Sequence, residues 1–485
     1  MAPQSDTRLT ARTMRAGENI RAWIWRFFDM EEGRRVAPPF SARSRPYLLA
    51  LFALVLLLRV PGVWIHGRFL GEEGTNFFAY AWHLPAGEAL WHPLGGYLNI
   101  IASGSTLLAA RLVRSGWLAL EWAPYLTIGA AFFFQLCPAL LLLTARARWL
   151  TNRWAVLFAL LALAATPETE EVWLHSLHVQ FHLALCVLIM IVTDRPDSAA
   201  MRGMRIALAF LAPLCGPVAI ALLPIMTVRA WIEAKRWRWI ETASLAIGAA
   251  IQLSLFYTPS SVRLQSTGPL ETAAVLFTRH VAMPVAGPDN SRAVGAAVHQ
   301  AIMAGTFPWW AALAGTACIG AVILLALLRR SLDALLLLSA GLVVAVLAYH
   351  GGLLTGVALF NVGMGQRYNF VPQVAFYFAM IAFVQGSTGL WRRALAAIGC
   401  AMAVIGAICF FSPVPSMSKG PNWRQEVAAW RNDPEHRLKL WPEGWTMDLS
   451  PGGRPCSVRP SPDYCDAAWE ARQRDELAAM RRLKF

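Results

Sequence analysis

Apolar runs follow one another along most of the chain, separated by short connections rich in arginine or by longer polar stretches. The runs lie at about 46–65, 123–144, 154–166, 176–193, 206–228, 239–257, 308–328, 333–350, 370–387 and 394–412. Each reaches or approaches the roughly 20 residues that carry an α-helix across a bilayer. The pattern predicts an all-α, polytopic helical membrane protein with about 9–12 membrane helices. The run 97–113 is also apolar but carries Asn99, Ser103, Gly104, Ser105 and Thr106. Were it a full span, the arginine-bearing connection 145–153 would face outward against the positive-inside rule. A helix in the outer interface, or a re-entrant one, is therefore preferred. Residues 206–228 are interrupted by Pro213, Gly216, Pro217 and Pro224 between two basic flanks. That predicts two half-helices with both ends inside, an arrangement tolerated at membrane depth only where it is buried in protein or lines a cavity.

The pattern divides the chain into a basic cytoplasmic tail (1–45), a membrane domain (46–412) and a small periplasmic C-terminal domain (413–485). External loops are expected at 66–122, 166–175, 258–307 and 351–369. Composition agrees: of 485 residues 56% are hydrophobic and only 15% charged, against about a quarter charged in a soluble domain. The net charge of +14 does not indicate nucleic acid, because much of the basic excess lies in short connections where it sets membrane orientation. Residues 8–28 read as a basic amphipathic helix on the inner leaflet, with Trp23, Trp25, Phe27 and Phe28. The first apolar run begins near residue 46 with no small-residue cleavage site after it, unlike a cleavable signal peptide. Cys456 and Cys465 stand outside the apolar runs and are candidates for a disulfide in an oxidising periplasm. The other six cysteines sit in apolar runs without metal-ligand spacing and read as packing residues.

Unusual polar residues gather on the side opposite the basic connections. At about 100° per residue, Glu171, His175, His178 and His182 fall on one helical face. Ionisable groups along a membrane helix mark a bundle interior or wet cavity, or a polar seam between helices. Imidazole and carboxylate together can bind a divalent metal, which makes Glu171 and His182 candidate ligands, although the spacing matches no compact zinc motif. His175, His178, Gln180 and His83 are candidates for binding sugar hydroxyls or a phosphate. Glu72 and Glu73 form an acidic pair just beyond the first span. A carboxylate in reach of a hydroxyl can act as its general base, and neighbours on a helix cannot both point the same way, so one is expected to be catalytic and the other structural. Arg367 stands beside Tyr368 at the start of an inward span. Its guanidinium suits a phosphate at headgroup depth.

These features resemble the GT-C class of integral membrane glycosyltransferases. The resemblance rests on the many spans, on Gly71-Glu72-Glu73-Gly74 after the first span, on the second acidic stretch Glu168 to Glu171 and on a late external loop with basic residues. It implies transfer of a sugar from a polyprenyl-phosphate carrier to a glycan, lipid or protein acceptor of the cell envelope, on the periplasmic face of a bacterial inner membrane. It implies Glu72 or Glu73 as general base and Arg367 on the carrier phosphate, with a divalent metal (Mg or Mn) as a candidate cofactor. The chain departs from the class in having Glu-Glu where an Asp often stands, and in its histidine-rich second stretch. Two other readings stay open: a transporter or flippase, suggested by the broken 206–228 segment and the intramembrane histidines, and a non-catalytic partner in envelope polysaccharide assembly.

Overall fold

The computed structural model describes residues 5–30, 36–94, 96–255, 268–351 and 358–450. The Cys456 and Cys465 pair lies outside them. The described residues are mostly helical, with a small antiparallel pairing of Leu438–Lys439 with Thr446–Met447. At its centre is the helix Val179–Ile191, whose 13 residues are all buried. A helix apolar on every side must be surrounded on every side. It packs against Ala123–Leu143, Ala199–Leu214, Pro217–Leu222 and Arg367–Gln385.

Among the described residues, four helices are long and apolar enough to cross a membrane: Leu120–Leu143, Trp309–Leu328, Leu332–Gly351 and Gly389–Phe411. A fifth is added if the bent pair Ala199–Leu214 and Pro217–Glu233 counts as one span. Trp309–Leu328 and Gly389–Phe411 turn most of their apolar surface outward, with Leu328 71% and Phe411 81% exposed. Apolar faces on this scale mark contact with another apolar phase rather than with water. Arg153–Ala165 and Val179–Ile191 are shorter, at 13 residues each. That is about 20 Å at the helical rise.

The bent pair matches the two half-helices read from the sequence. Its members meet at 117°. Gly216 forms the corner at φ 147°, and Pro217 opens the next turn. A Cβ on Gly216 would overlap the Gln180 amide. Ile100–Arg114 is a 15-residue helix whose cap, Asn99, accepts from the Ala102 N–H at 3.3 Å. The N-terminal basic segment is the helix Ser5–Phe27, anchored where the Trp25 indole donates to the Ile232 carbonyl at 2.8 Å.

One expectation is corrected. The 258–307 stretch, read as a long loop, is largely helical where described, with helices Pro269–Leu276 and Pro288–Met303 flanking a π-turn at Phe277–Ala282. Pro269 and Pro288 are the first residues of those helices, where a missing N–H costs nothing; the same prolines had suggested loop.

The two ends of the bundle differ as the charge pattern predicts. The basic connections 146–149, 194–202, 229–237 and 329–333 meet at one end around a cavity of about 750 Å³. At the other end the tail docks on the first polar loop. The Gly71 N–H donates to the Trp441 carbonyl at 2.6 Å, Thr75 Oγ1 to the Thr446 carbonyl at 2.7 Å and the Trp423 indole to the Leu120 carbonyl at 3.2 Å. Trp423 and Trp441 are buried here, so these two tryptophans cap the bundle and do not present a stacking surface.

Candidate functional site

Residues 166–178 do not continue either helix that flanks them. A short 3-10 turn covers Glu170–Val172, and helix resumes only at Val179. Glu168 and Leu174 have positive φ, 49° and 57°. The single helical stripe expected for Glu171, His175, His178 and His182 is therefore corrected. A buried segment without helical hydrogen bonds must find partners elsewhere, and side chains from distant elements supply them. Arg59 donates to the Ala164 carbonyl, to the Thr166 carbonyl at 3.0 Å and to Thr169 Oγ1 at 2.9 Å. Gln135 donates to the Val172 carbonyl and accepts from the Leu174 N–H, both at 3.2 Å. Asn99 donates to the Leu177 carbonyl at 2.7 Å. Gln366 accepts from the Glu171 N–H at 3.1 Å, and Asn369 donates to the Glu168 carbonyl at 3.2 Å. The segment is a platform held from several sides.

Glu73 is part of that support. Its carboxylate is fully buried and accepts from the Ser176 N–H at 2.7 Å, the Ser176 hydroxyl at 2.6 Å and the Leu70 N–H at 3.2 Å. Burial pushes its carboxyl above the usual glutamate range despite these donors and nearby Arg68. Burial raises Glu168 and Glu170 as well. Above the ordinary value of 4.5 the unfolded chain has lost protons that the folded chain keeps, so these groups make stability fall as pH rises from there. Glu73→Gln cannot ionise and is expected to shallow that fall. Melting curves of the two proteins between about pH 4.5 and 8 check it; parallel pH profiles would refute it.

The polar cluster forms around Glu171. Arg367 pairs with its carboxylate through the guanidinium and through the backbone N–H, the latter at 3.1 Å. His175 Nε2 and His178 Nδ1 both meet the Glu171 carbonyl, at 2.6 and 2.7 Å. The His175 ring thus takes the place of the helical N–H that the segment lacks. Burial would push the Glu171 carboxyl up, but Arg367 and His178 together hold it below the usual range. Burial holds His175 far below the usual histidine range, so its ring is neutral. Tyr368 lies under the Arg367 guanidinium, 4.9 Å from ring centre. Glu72 is half-buried and lies close enough to Arg367 and His178 to interact with both electrostatically. Beside this cluster the exposed Arg292 pairs with Glu168, which also accepts from Gln366 at 3.2 Å.

Of the residues singled out from the sequence, Glu72, Glu171, His175, His178, Arg367 and Tyr368 come together. His83, Gln180 and His182 are engaged elsewhere. His83 Nε2 meets the Asp448 carbonyl of the tail at 3.0 Å. Gln180 donates weakly to Tyr97 at 3.5 Å beside the Gly216 corner. His182 packs edge-on against Trp173 and at a tilt against Phe370, with ring centres 4.8 and 4.9 Å apart. The Glu171 carboxylate is taken by Arg367, and the His182 ring sits among aromatic rings. Among the described residues, no three His, Cys, Asp or Glu side chains are grouped to hold a metal ion. Sequence reasoning missed Arg59, Gln366 and Arg292. Arg59 had a signal, as an ionisable residue inside the first apolar run.

Comparison with protein-family models, curated proteins and solved structures returns no match.

Proposed function

We propose that this chain is an integral membrane glycosyltransferase of the GT-C kind. It lies in a bacterial inner membrane with its site at the periplasmic end, and moves a sugar from a polyprenyl-phosphate carrier to an envelope glycan, lipid or protein. The apolar helices, including the shorter ones and the bent pair, make up a polytopic domain of about 9–12 membrane helices. The gathering of basic connections at the opposite end supports a cytoplasmic assignment for that end. The observation that carries the reading is the convergence of Glu72, Arg367 and His178 on the Glu171 platform.

In the proposed reaction Glu72 takes the proton of the acceptor hydroxyl as that oxygen attacks the anomeric carbon. The bond from the anomeric carbon to the carrier phosphate oxygen breaks, and the phosphate leaves with the electron pair. Attack from the face opposite the leaving group inverts the anomeric centre. Glu171 and Tyr368 hold the Arg367 guanidinium in place, and its charge offsets the charge developing on the phosphate. Neutral His175 is as fully buried as Glu73, and its part is to hold the Glu171 carbonyl through Nε2. A second reading, transport, draws on the 117° corner at Gly216 packed against Gln180.

The test is transfer of labelled sugar from a panel of polyprenyl-phosphate sugars by the purified full chain in liposomes. Transfer from at least one donor is expected, and the engaged state of Glu171 predicts that chelator leaves the rate unchanged. Folded protein that transfers from none of them, yet takes up a labelled solute with a proton gradient, would replace this reading with the second.

A further inference from the structure

The cavity at the end opposite the candidate site plays no part in that chemistry. It is lined by eight cationic side chains and four carboxylates. Three of the carboxylates are already neutralised. Glu233 is bound by Arg229 at 2.5 Å, Arg238 at 3.0 Å and Lys235 at 3.4 Å; Asp333 by Arg229 at 3.4 Å; and Asp197 by Arg146. No carboxylate pairs with Arg195, Arg329 or Arg330 among the described residues. Arg329 and Arg330 instead lie over the Trp391 and Phe27 rings, at 5.9 and 5.7 Å. The cavity therefore holds a surplus of positive charge in a concave space of about 750 Å³, which fits a phosphate-bearing ligand.

A second feature says what kind. An apolar groove of about 230 Å³ runs between Arg153–Ala165, Arg367–Gln385 and Gly389–Phe411, lined by Trp154, Phe158, Met380, Ile381 and Val384. Gln385 lines both the groove and the basic cavity, and its side-chain oxygen accepts from Asn152 at 2.8 Å. A soluble phosphate would use the cavity alone. A ligand with an anionic head and an apolar chain would use both. Trp25, Phe28 and Met30, at the end of the basic N-terminal helix, form one wall of the cavity and place it at interfacial depth. Basic pockets between membrane helices on the cytoplasmic side are suited to anionic headgroups.

We infer that the cavity and groove together bind an anionic phospholipid of the inner leaflet, with its phosphate among Arg195, Arg329 and Arg330 and an acyl chain along the groove. The inference rests on the membrane reading above but not on the transfer reaction.

The experiment is native mass spectrometry of the full chain purified in detergent, with phosphatidylglycerol or phosphatidylethanolamine added, alongside thermal-shift measurements with inorganic phosphate. Preferential retention of phosphatidylglycerol is expected. It should weaken about tenfold in the Arg329→Gln, Arg330→Gln double variant, with a smaller loss in Arg195→Gln. Gly399→Trp fills the groove, where a Cβ meets nothing within 4 Å, and should also reduce retention. Arg111→Gln, an exposed charge on Ile100–Arg114, should change nothing. Stabilisation by inorganic phosphate without lipid retention would overturn the lipid assignment, as would equal retention of the two lipids or an equal loss in Arg111→Gln. Carbonate extraction separates the two failures. A chain that washes off membranes removes the membrane reading too, whereas one that stays and retains no lipid removes this inference alone.

Discussion

Glu72→Gln is expected to lower sugar transfer by about 10²–10⁴-fold, the usual contribution of a positioned general base, and to leave the melting temperature within about 2 °C of wild type. The two acids of the pair are separated by what surrounds them. Glu73 is fully buried, and its oxygens already accept from Ser176 and Leu70. An acceptor hydroxyl has no approach to it. Glu72 is half-buried, and its charge acts on Arg367 and His178. Gln keeps the shape and polarity of that side chain but cannot take a proton, so rate should fall without loss of fold. Glu73→Ala should do the reverse. It leaves buried donors unmatched, at about 1–3 kcal/mol for such a group, and activity should fall only as far as the folded fraction does. Initial rates in liposomes, paired with melting curves for each variant, decide the matter. Retention of more than a tenth of wild-type rate by Glu72→Gln would remove the assignment. A Glu73→Gln variant that is folded but inactive would move the base to Glu73.

Features that depend on local composition were legible in the sequence. Most apolar runs reappear as helices within a few residues of their expected limits, although the 46–65 run divides at Val60 and the broken 206–228 run extends over 199–233. The Pro213, Gly216 and Pro217 cluster does break its helix, because a corner of this kind needs a residue without a Cβ and a proline to open the next turn. The arginine-rich connections do gather at one end. Of the residues assigned to the other end, Glu72, Glu171, His175, His178 and Arg367 gather together, whereas His83 and His182 pack elsewhere. Periodicity failed where distant side chains replace local hydrogen bonds. Glu171 to His182 has helical spacing, yet Arg59, Gln135, Asn99, Gln366 and Asn369 take the backbone groups that a helix would have paired internally. Those partners lie between 37 and 201 residues away in the chain, beyond any window a pattern can read. The same blindness hid the helices in 258–307, where prolines that begin helices look like prolines that end them.

Arg59→Met is expected to be the most damaging single change to stability, by about 3–5 kcal/mol, the cost of breaking a buried ion pair from one side. Arg59 is 1% exposed and its guanidinium serves several acceptors at once. It also faces Glu170 Oε1 at 3.5 Å and stacks over Trp173 at 5.5 Å. Methionine fills much of the space but leaves the Ala164 carbonyl without its side-chain donor, the Thr166 carbonyl with the Thr169 hydroxyl alone and the Glu170 carboxylate without its cation. Burial already pushes the Glu170 carboxyl up, so Glu170→Gln alone should cost much less. The double variant should then be less destabilised than the sum of its parts, by about 0.5–3 kcal/mol. Thermal melting of all four proteins in one detergent gives the cycle. An Arg59→Met protein that melts with wild type would show that the platform stands without its arginine. Because Arg59 holds residues 164–170 and Arg367 is aligned by Glu171, the loss should reach the chemistry. Transfer by the surviving folded Arg59→Met protein should fall below wild type per molecule, although Arg59 touches neither substrate. If rate per folded molecule is unchanged, the position of Glu171 is set by Gln366 and Arg367 alone.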